Sequence, residues 1–292
     1  MKNLTKLALL PGFLFLGGVA QATTIPSTIS STLTITTDSH LTGNVTCAVP
    51  AGTTCIKFGA NNITLKLNGF TIAPSSASCT ASLGQNGIDT NGKNNVAIRG
   101  AGLVTQFNGF GIVVSGNNSA VEGVAITRVC LIAIVVSGSN NEVEGNSISR
   151  AVLSPFFVAP AISISGNGAN NGHNRILHNE VGGTGPVGAA GTGNGGITVG
   201  APFGPSPGNL IEANNISGNP DFGINIQGGS TGNIVRRNQA LGNIIDGDIF
   251  DNNAAGANTY DNNLCQVSNL SGVCNTPLPD IAGQSNFEPD GD

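Results

Sequence analysis

One six-residue unit recurs eight times along this chain, and that recurrence limits the fold more than any other feature. It reads Leu67-Asn68-Gly69-Phe70-Thr71-Ile72, then Ile98-Arg99-Gly100-Ala101-Gly102-Leu103, then Val121-Glu122-Gly123-Val124-Ala125-Ile126. It returns at 143–148, 176–181, 211–216, 235–240 and 260–265. The first and sixth positions are apolar in all eight units, and the fourth is Asn146, Asn179, Asn214, Asn238 and Asn263 in the last five. Four of the seven steps between units are 22 to 25 residues, the length of one solenoid turn, and the three steps of 31 to 35 carry insertions.

A second motif falls between the units: Gly87-Ile88-Asp89, Gly111-Ile112-Val113-Val114, Ala133-Ile134-Val135-Val136, Ala161-Ile162-Ser163-Ile164, Gly196-Ile197-Thr198-Val199 and Gly223-Ile224-Asn225-Ile226. Apolar, variable, apolar is the period-two pattern of a half-buried strand. Each turn therefore holds this strand, a connection, a strand ending at the first apolar position of the unit, a tight corner and a further short strand. The expectation is an all-β, single-stranded right-handed parallel β-helix of about eight rungs. Gly and Asn adopt the left-handed backbone of a sharp corner at least cost, which explains Gly69, Gly100, Gly123, Gly145 and the Asn column. Identical amides stacked about 4.8 Å apart can also donate to one another up the solenoid.

The chain ends read differently. Lys2 and Lys6, the apolar run 7–16 and Val19-Ala20-Gln21-Ala22 have the plan of a secretory signal peptide, too short to span a bilayer. The domain plan is a signal peptide over 1–22, an arm over 23–40, a capped solenoid over 41–274 and a Pro/acidic tail over 275–292. An apolar fraction of 39%, rich in Ile and Val, is enough for a core despite 43 glycines. A net charge of −5, with no basic stripe, excludes nucleic acid as a partner. Six cysteines suit an oxidising compartment, secreted or periplasmic. Cys47 with Cys55 and Cys265 with Cys274 are close enough in sequence to close local loops, and Cys79 with Cys130 remain.

On these residues the chain resembles the right-handed parallel β-helix proteins of the pectin-lyase-like superfamily, in the NosD-like, carbohydrate-associated branch. The likeness is carried by Asn62-Ile63-Thr64-Leu65-Lys66-Leu67-Asn68-Gly69-Phe70-Thr71-Ile72, the repeated Asn-x-Val/Ile-x-x-Asn-x-Ile units and Asn258-Thr259-Tyr260-Asp261-Asn262-Asn263. The segment from Asn44-Val45-Thr46-Cys47 to Cys55 looks like an N-terminal cap. The resemblance implies a polysaccharide or cell-surface glycan as partner, and it supplies no catalytic residue.

In a solenoid the rungs are committed to stacking, so function belongs to the insertions. Here 151–160 and 182–195 precede, and 166–172 and 200–208 follow, two of the Gly-Ile-type strands. They are expected to wall a groove floored by Asp89, Val113, Val135, Ser163, Thr198 and Asn225. Ser163, Thr198 and Asn225 would meet sugar hydroxyls, while Phe156, Phe157 or Phe203 would stack on a ring, cover apolar edges or cap one another. That floor has one acid and no Lys, Arg or His, short of the paired acids of a glycosidase. A charged row on later rungs includes His178, Glu212 and Arg237, candidates for acid–base work or a solvated face. Asp246, Asp248 and Asp251 with Asn252 and Asn253 offer oxygen ligands for calcium, or form an exposed turn.

These features favour an extracytoplasmic carbohydrate-binding or carbohydrate-associated solenoid. The alternatives are a polysaccharide lyase or epimerase acting on an acidic glycan, and a rigid structural or surface-interaction rod without catalysis.

Overall fold

The computed structural model describes residues 22–77, 79, 84–154, 158–166, 172–185, 195–200, 204–245 and 247–275. Its strands run in three parallel sheets of 10, 11 and 9 strands that form a right-handed β-helix. The first sheet runs from Thr23–Thr24 to Thr259–Asp261, the second from Thr28–Ile29 to Cys274–Asn275, the third from Leu33–Ile35 to Gly247–Asp251. Each turn of chain visits the three sheets in that order.

Inward positions stack like on like. On the third sheet Ile56, Ile88, Ile112, Ile134, Ile162, Ile197, Ile224 and Ile249 form one column, each fully buried. Val121, Val143, Ile176, Ile211 and Val235 do the same on the first sheet, and Ile126, Ile148, Val181 and Ile216 on the second. Each such side chain stabilises the fold by about 1.5–3 kcal/mol through burial. Strands of two to five residues therefore suffice, because the neighbouring rungs complete the core.

The rungs number about ten. The two that the repeat did not reveal are made by 23–58, which the sequence suggested was an arm followed by a cap. Ser39–His40 pairs with Leu65 and Lys66, and Val45–Cys47 pairs with Ile72, Ala73 and Pro74. Ile25, Ile29, Ile35, Leu41 and Val45 are all buried. Their strands are so short that each offers one or two inward residues, which leaves no periodic signal. The early register also shifts. Ile98 pairs with Leu65 rather than Leu67, and Ile72 with Val104 rather than Leu103, because the first two corners are longer than the later ones.

The asparagine column forms a continuous ladder. Nδ2 of Asn146, Asn179, Asn214 and Asn238 donates to Oδ1 of the next member at 3.0, 3.0, 2.9 and 3.0 Å. None of the five takes a left-handed backbone; the preceding residue does, at Gly145, His178, Ala213, Arg237 and Asn262. The corner thus divides its labour: one residue turns the chain, and the next satisfies the backbone groups that the turn exposes. Asn179 Nδ2, for example, also donates to Val143 O at 2.8 Å.

A second ladder runs through Asn141, Asn174, Asn209, Asn233 and Asn258 at the corner entering the first sheet. A shorter one links Thr184, Asn219 and Asn243. The disulfides are Cys47–Cys55, Cys79–Cys130 and Cys265–Cys274, as the cysteine spacing suggested.

Candidate functional site

The third-sheet column has the expected register: Asp89, Val113, Val135, Ser163, Thr198 and Asn225 lie on successive strands. It also extends one rung earlier to Lys57, opposite Asp89, so this face does carry a lysine. The described parts of the insertions lie at its two edges. Residues 151–154 run beside 129–131, with Val152 N donating to Leu131 O and Ser154 N to Cys130 O. Residues 204–208 dock on the other edge, where Gly166 N donates to Gly204 O and His173 N to Pro207 O.

The column is nevertheless not an open floor. Ser163, Thr198 and Asn225 are 0, 2 and 7% exposed although they point away from the core. Ser163 Oγ lies 3.1 Å from Ser165 Oγ, and Asn252 Nδ2 donates to Asn225 Oδ1. Thr198 Oγ1 is buried without a hydrogen-bond partner. Phe156, Phe157 and Phe203 lie outside the described residues.

The charged row sits on the first sheet and its corner, in solvent. Arg99–Glu122, Arg175–Glu142, His178–Glu144, Arg236–Glu212 and Arg237–Glu212 pair across neighbouring rungs at 3.0, 3.5, 3.3, 2.9 and 2.7 Å. Glu212 and Arg237 are thus brought together, while the ion-pair partner of His178 is Glu144. Hydrogen bonding from Arg236, reinforced by the charges of Arg236, Arg237 and His178, outweighs burial and holds the Glu212 carboxyl below the usual carboxylate range. Such a carboxylate is a weak base. Burial raises Glu142, helped by Glu144 and Glu122 and opposed by Arg175. The row is built of the cross-rung ion pairs that charges on adjacent rungs form, exposed at Arg99 and Arg175 and half-buried at Glu212.

The aspartates nominated for calcium are spent on the ladder ends. Asp248 Oδ1 accepts from Asn243 Nδ2 at 3.0 Å, and its Oδ2 accepts from the Gln266 and Val267 amides. Asp251 Oδ1 accepts the Asn253 amide and side chain, and Oδ2 accepts Asn258 Nδ2 and the Tyr260 hydroxyl, the latter at 2.6 Å. Both carboxylates are buried, not set in an exposed turn. Among the described residues no group of three or more His, Cys, Asp or Glu is placed to hold a metal. Asp246 lies outside the described residues.

An open trough lies on the second sheet, where the sequence pointed to nothing. Leu103, Thr105, Gln106, Thr127, Arg128, Ser149 and Arg150 line a trough of about 410 Å³. Thr105, Thr127 and Ser149 occupy one outward column, and Ser149 Oγ donates to Thr127 Oγ1 at 3.3 Å. Gln106, Arg128 and Arg150 follow them at the corner, each in the left-handed backbone region with φ of 63, 55 and 51°. On the next three rungs the same corner position is Gly183, Gly218 and Gly242, also at positive φ. Three side chains therefore stand where the next three rungs use glycine, in a conformation costing about 1–2 kcal/mol per residue.

The arginines gain no compensating ion pair. Arg99, Arg175, Arg236 and Arg237 each pair with a glutamate, whereas Arg128 and Arg150 pair with no acid among the described residues. Glu180 is the sole acid among the described strand residues of this sheet, one rung beyond Arg150. A smaller apolar recess of about 170 Å³ shares Gln106 and Arg128 with the trough and is lined further by Ala77, the Cys79–Cys130 disulfide and Leu153. Arginine at 128 and 150, in register with glycines at 183, 218 and 242, was the sequence signal for this site. It becomes visible only when the later corners are aligned on the second sheet.

No family model and no curated protein matches the chain. Among solved structures it is similar to the crystal structure of the Dettilon tailspike protein (gp208), with a TM-score of 0.56 and 18% identity over 80% of this chain. The match covers 52% of the tailspike chain, so this chain spans about half of that protein's length. At that identity the likeness concerns architecture alone, and it agrees with the three parallel sheets: the chain folds as a parallel β-helix.

Proposed function

We propose that this protein is an extracytoplasmic carbohydrate-binding β-helix that holds a glycan along the trough of its second sheet without turning it over. The observation that carries the reading is the trough itself. Hydroxyls of Thr127 and Ser149, the Gln106 amide and two arginines line one open channel on a rigid strand face, with Thr105 buried at its wall and donating to the Thr127 carbonyl. Convergent polar groups on a rigid support suit the hydroxyls of a sugar chain.

The lining residues include neither a carboxylate nor a histidine, the groups that most often serve as general base. This disfavours a lyase or epimerase. A purely structural rod would have no use for unpaired arginines in strained backbone. The three disulfides fit the oxidising setting in which such a protein meets a glycan, secreted or periplasmic. The pectin-lyase-like, NosD-like resemblance of the repeats and the architecture shared with a tailspike protein are compatible with this role. A second reading places the sugar over the third sheet at Ser163, Thr198 and Asn225, with Phe156 and Phe203; the unpartnered buried hydroxyl of Thr198 favours it.

Retention on an immobilised glycan panel, with absorbance monitored for unsaturated uronate products, tests the proposal. Retention without product is expected. Robust turnover by the unmodified protein would overturn it.

A further inference from the structure

We propose that the sugar held in the trough is both acidic and acylated, its carboxylate on Arg128 and Arg150 and its acyl group in the apolar recess beside the Cys79–Cys130 disulfide. This rests on the trough being the glycan site and adds the class of glycan.

The argument for the acid is one of uncompensated charge. The chain carries a net charge of −5, yet it places two guanidinium groups on adjacent rungs of a face with a single acidic strand residue among those described. Rungs lie about 4.8 Å apart, close enough for both groups to face one ligand. Guanidinium forks match a planar carboxylate with paired N–H donors, which gives orientation as well as affinity. Neutral sugars would be served by the hydroxyls alone. They give no reason to keep Arg128 and Arg150 at φ of 55 and 51° where the next three rungs place glycine.

The argument for the acyl group is contiguity. Gln106 and Arg128 line both the trough and the recess, so a group bound at Arg128 has its neighbouring substituent at the recess mouth. Ala77, Leu153 and the disulfide sulfurs offer a methyl group contact and offer a hydroxyl no partner. Gln106 sits between the two as a donor and acceptor for the acyl amide or ester.

The test is calorimetric titration of the full mature chain with three hexasaccharides. Hyaluronan hexasaccharide is acidic and N-acetylated, oligogalacturonate is acidic and unacylated, and the chitohexaose is the fully N-acetylated form, which is neutral. Hyaluronan should bind tightest. The R128G/R150G double variant should weaken hyaluronan and oligogalacturonate at least about tenfold, a modest estimate for lost charge-assisted hydrogen bonds, and leave chitohexaose unchanged. Its melting temperature should hold or rise, because it restores the corner found on later rungs. Ala77→Phe, which fills the recess, should bring hyaluronan down to the level of oligogalacturonate. Equal binding of all three probes, abolished by Thr127→Trp, would leave the trough as the site and refute the ligand class. Binding indifferent to Thr127→Trp, or none by any probe, would overturn both.

Discussion

Replacing Asn214 with Leu tests how much one member of the ladder contributes. The Asn214 side chain is 1% exposed and makes five hydrogen bonds. Its Oδ1 accepts the Asn179 backbone N–H at 2.9 Å and Asn179 Nδ2 at 3.0 Å. Its Nδ2 donates to Ile176 O at 2.8 Å, Glu212 O at 3.1 Å and Asn238 Oδ1 at 2.9 Å. Some partners keep other bonds: Asn179 Nδ2 still reaches Val143 O, and Asn238 Oδ1 still accepts the residue-214 amide. The Asn179 N–H loses the most, because the Ile176 carbonyl keeps its place in the first-sheet ladder. At about 1–3 kcal/mol for one buried group left unpaired, the expected loss is about 1–3 kcal/mol. Urea denaturation with the disulfides intact measures it, and hydrogen exchange at the Asn179 amide localises it. Leu at the exposed neighbour Asn215 should change stability by less than about 0.5 kcal/mol. A loss at Asn214 no larger than at Asn215 would refute the ladder as a source of stability.

Three further outcomes follow from the same structure. The Tyr260 hydroxyl, held protonated by burial and by its bond to Asp251, belongs to the single tyrosine of a chain without tryptophan; phenolate absorbance should therefore be absent at pH 11 and appear only with unfolding, whereas Asp251→Ala should bring titration back towards about pH 10. Burial would raise Asp251, but hydrogen bonds from Tyr260, Asn258 and Asn253 outweigh it and lower its pKa, so its contribution is full above about pH 4 and is lost as pH falls through the lower folded value; acid melts of wild type and Asp251→Asn should converge below that range. Opening Cys79–Cys130 by paired serines releases a 51-residue loop and should cost about 4 kcal/mol, against about 2.5 kcal/mol for Cys47–Cys55, whose separation is 8, as read from chemical denaturation.

The sequence displayed the architecture wherever a physical demand repeated. Asn146 to Asn263 recur because every later corner exposes the same backbone groups, and Ile88 to Ile224 because every rung fills the same core layer. Ile25, Ile29 and Ile35 stayed illegible because a two- or three-residue strand has no room for a period. The second ladder, Asn141 to Asn258, was visible as the leading Asn of the repeated Asn-x-Val/Ile-x-x-Asn-x-Ile units, but its hydrogen bonding was not, because that depends on how the corners stack. For the site, the register of Ser163, Thr198 and Asn225 was readable and their enclosure was not, since burial depends on what crosses the face. Arg128 and Arg150 belong to no motif of the sequence, and they stand out only beside Gly183, Gly218 and Gly242 at the same corner.

The face that meets the glycan decides the account. Hydrogen exchange of the protein, with and without a retained glycan, maps it directly. Protection is predicted at the backbone amides of 103–106, 125–128 and 147–150, with the amides around 163, 198 and 225 unchanged. Protection confined to the third sheet, with the second unaffected, would contradict it.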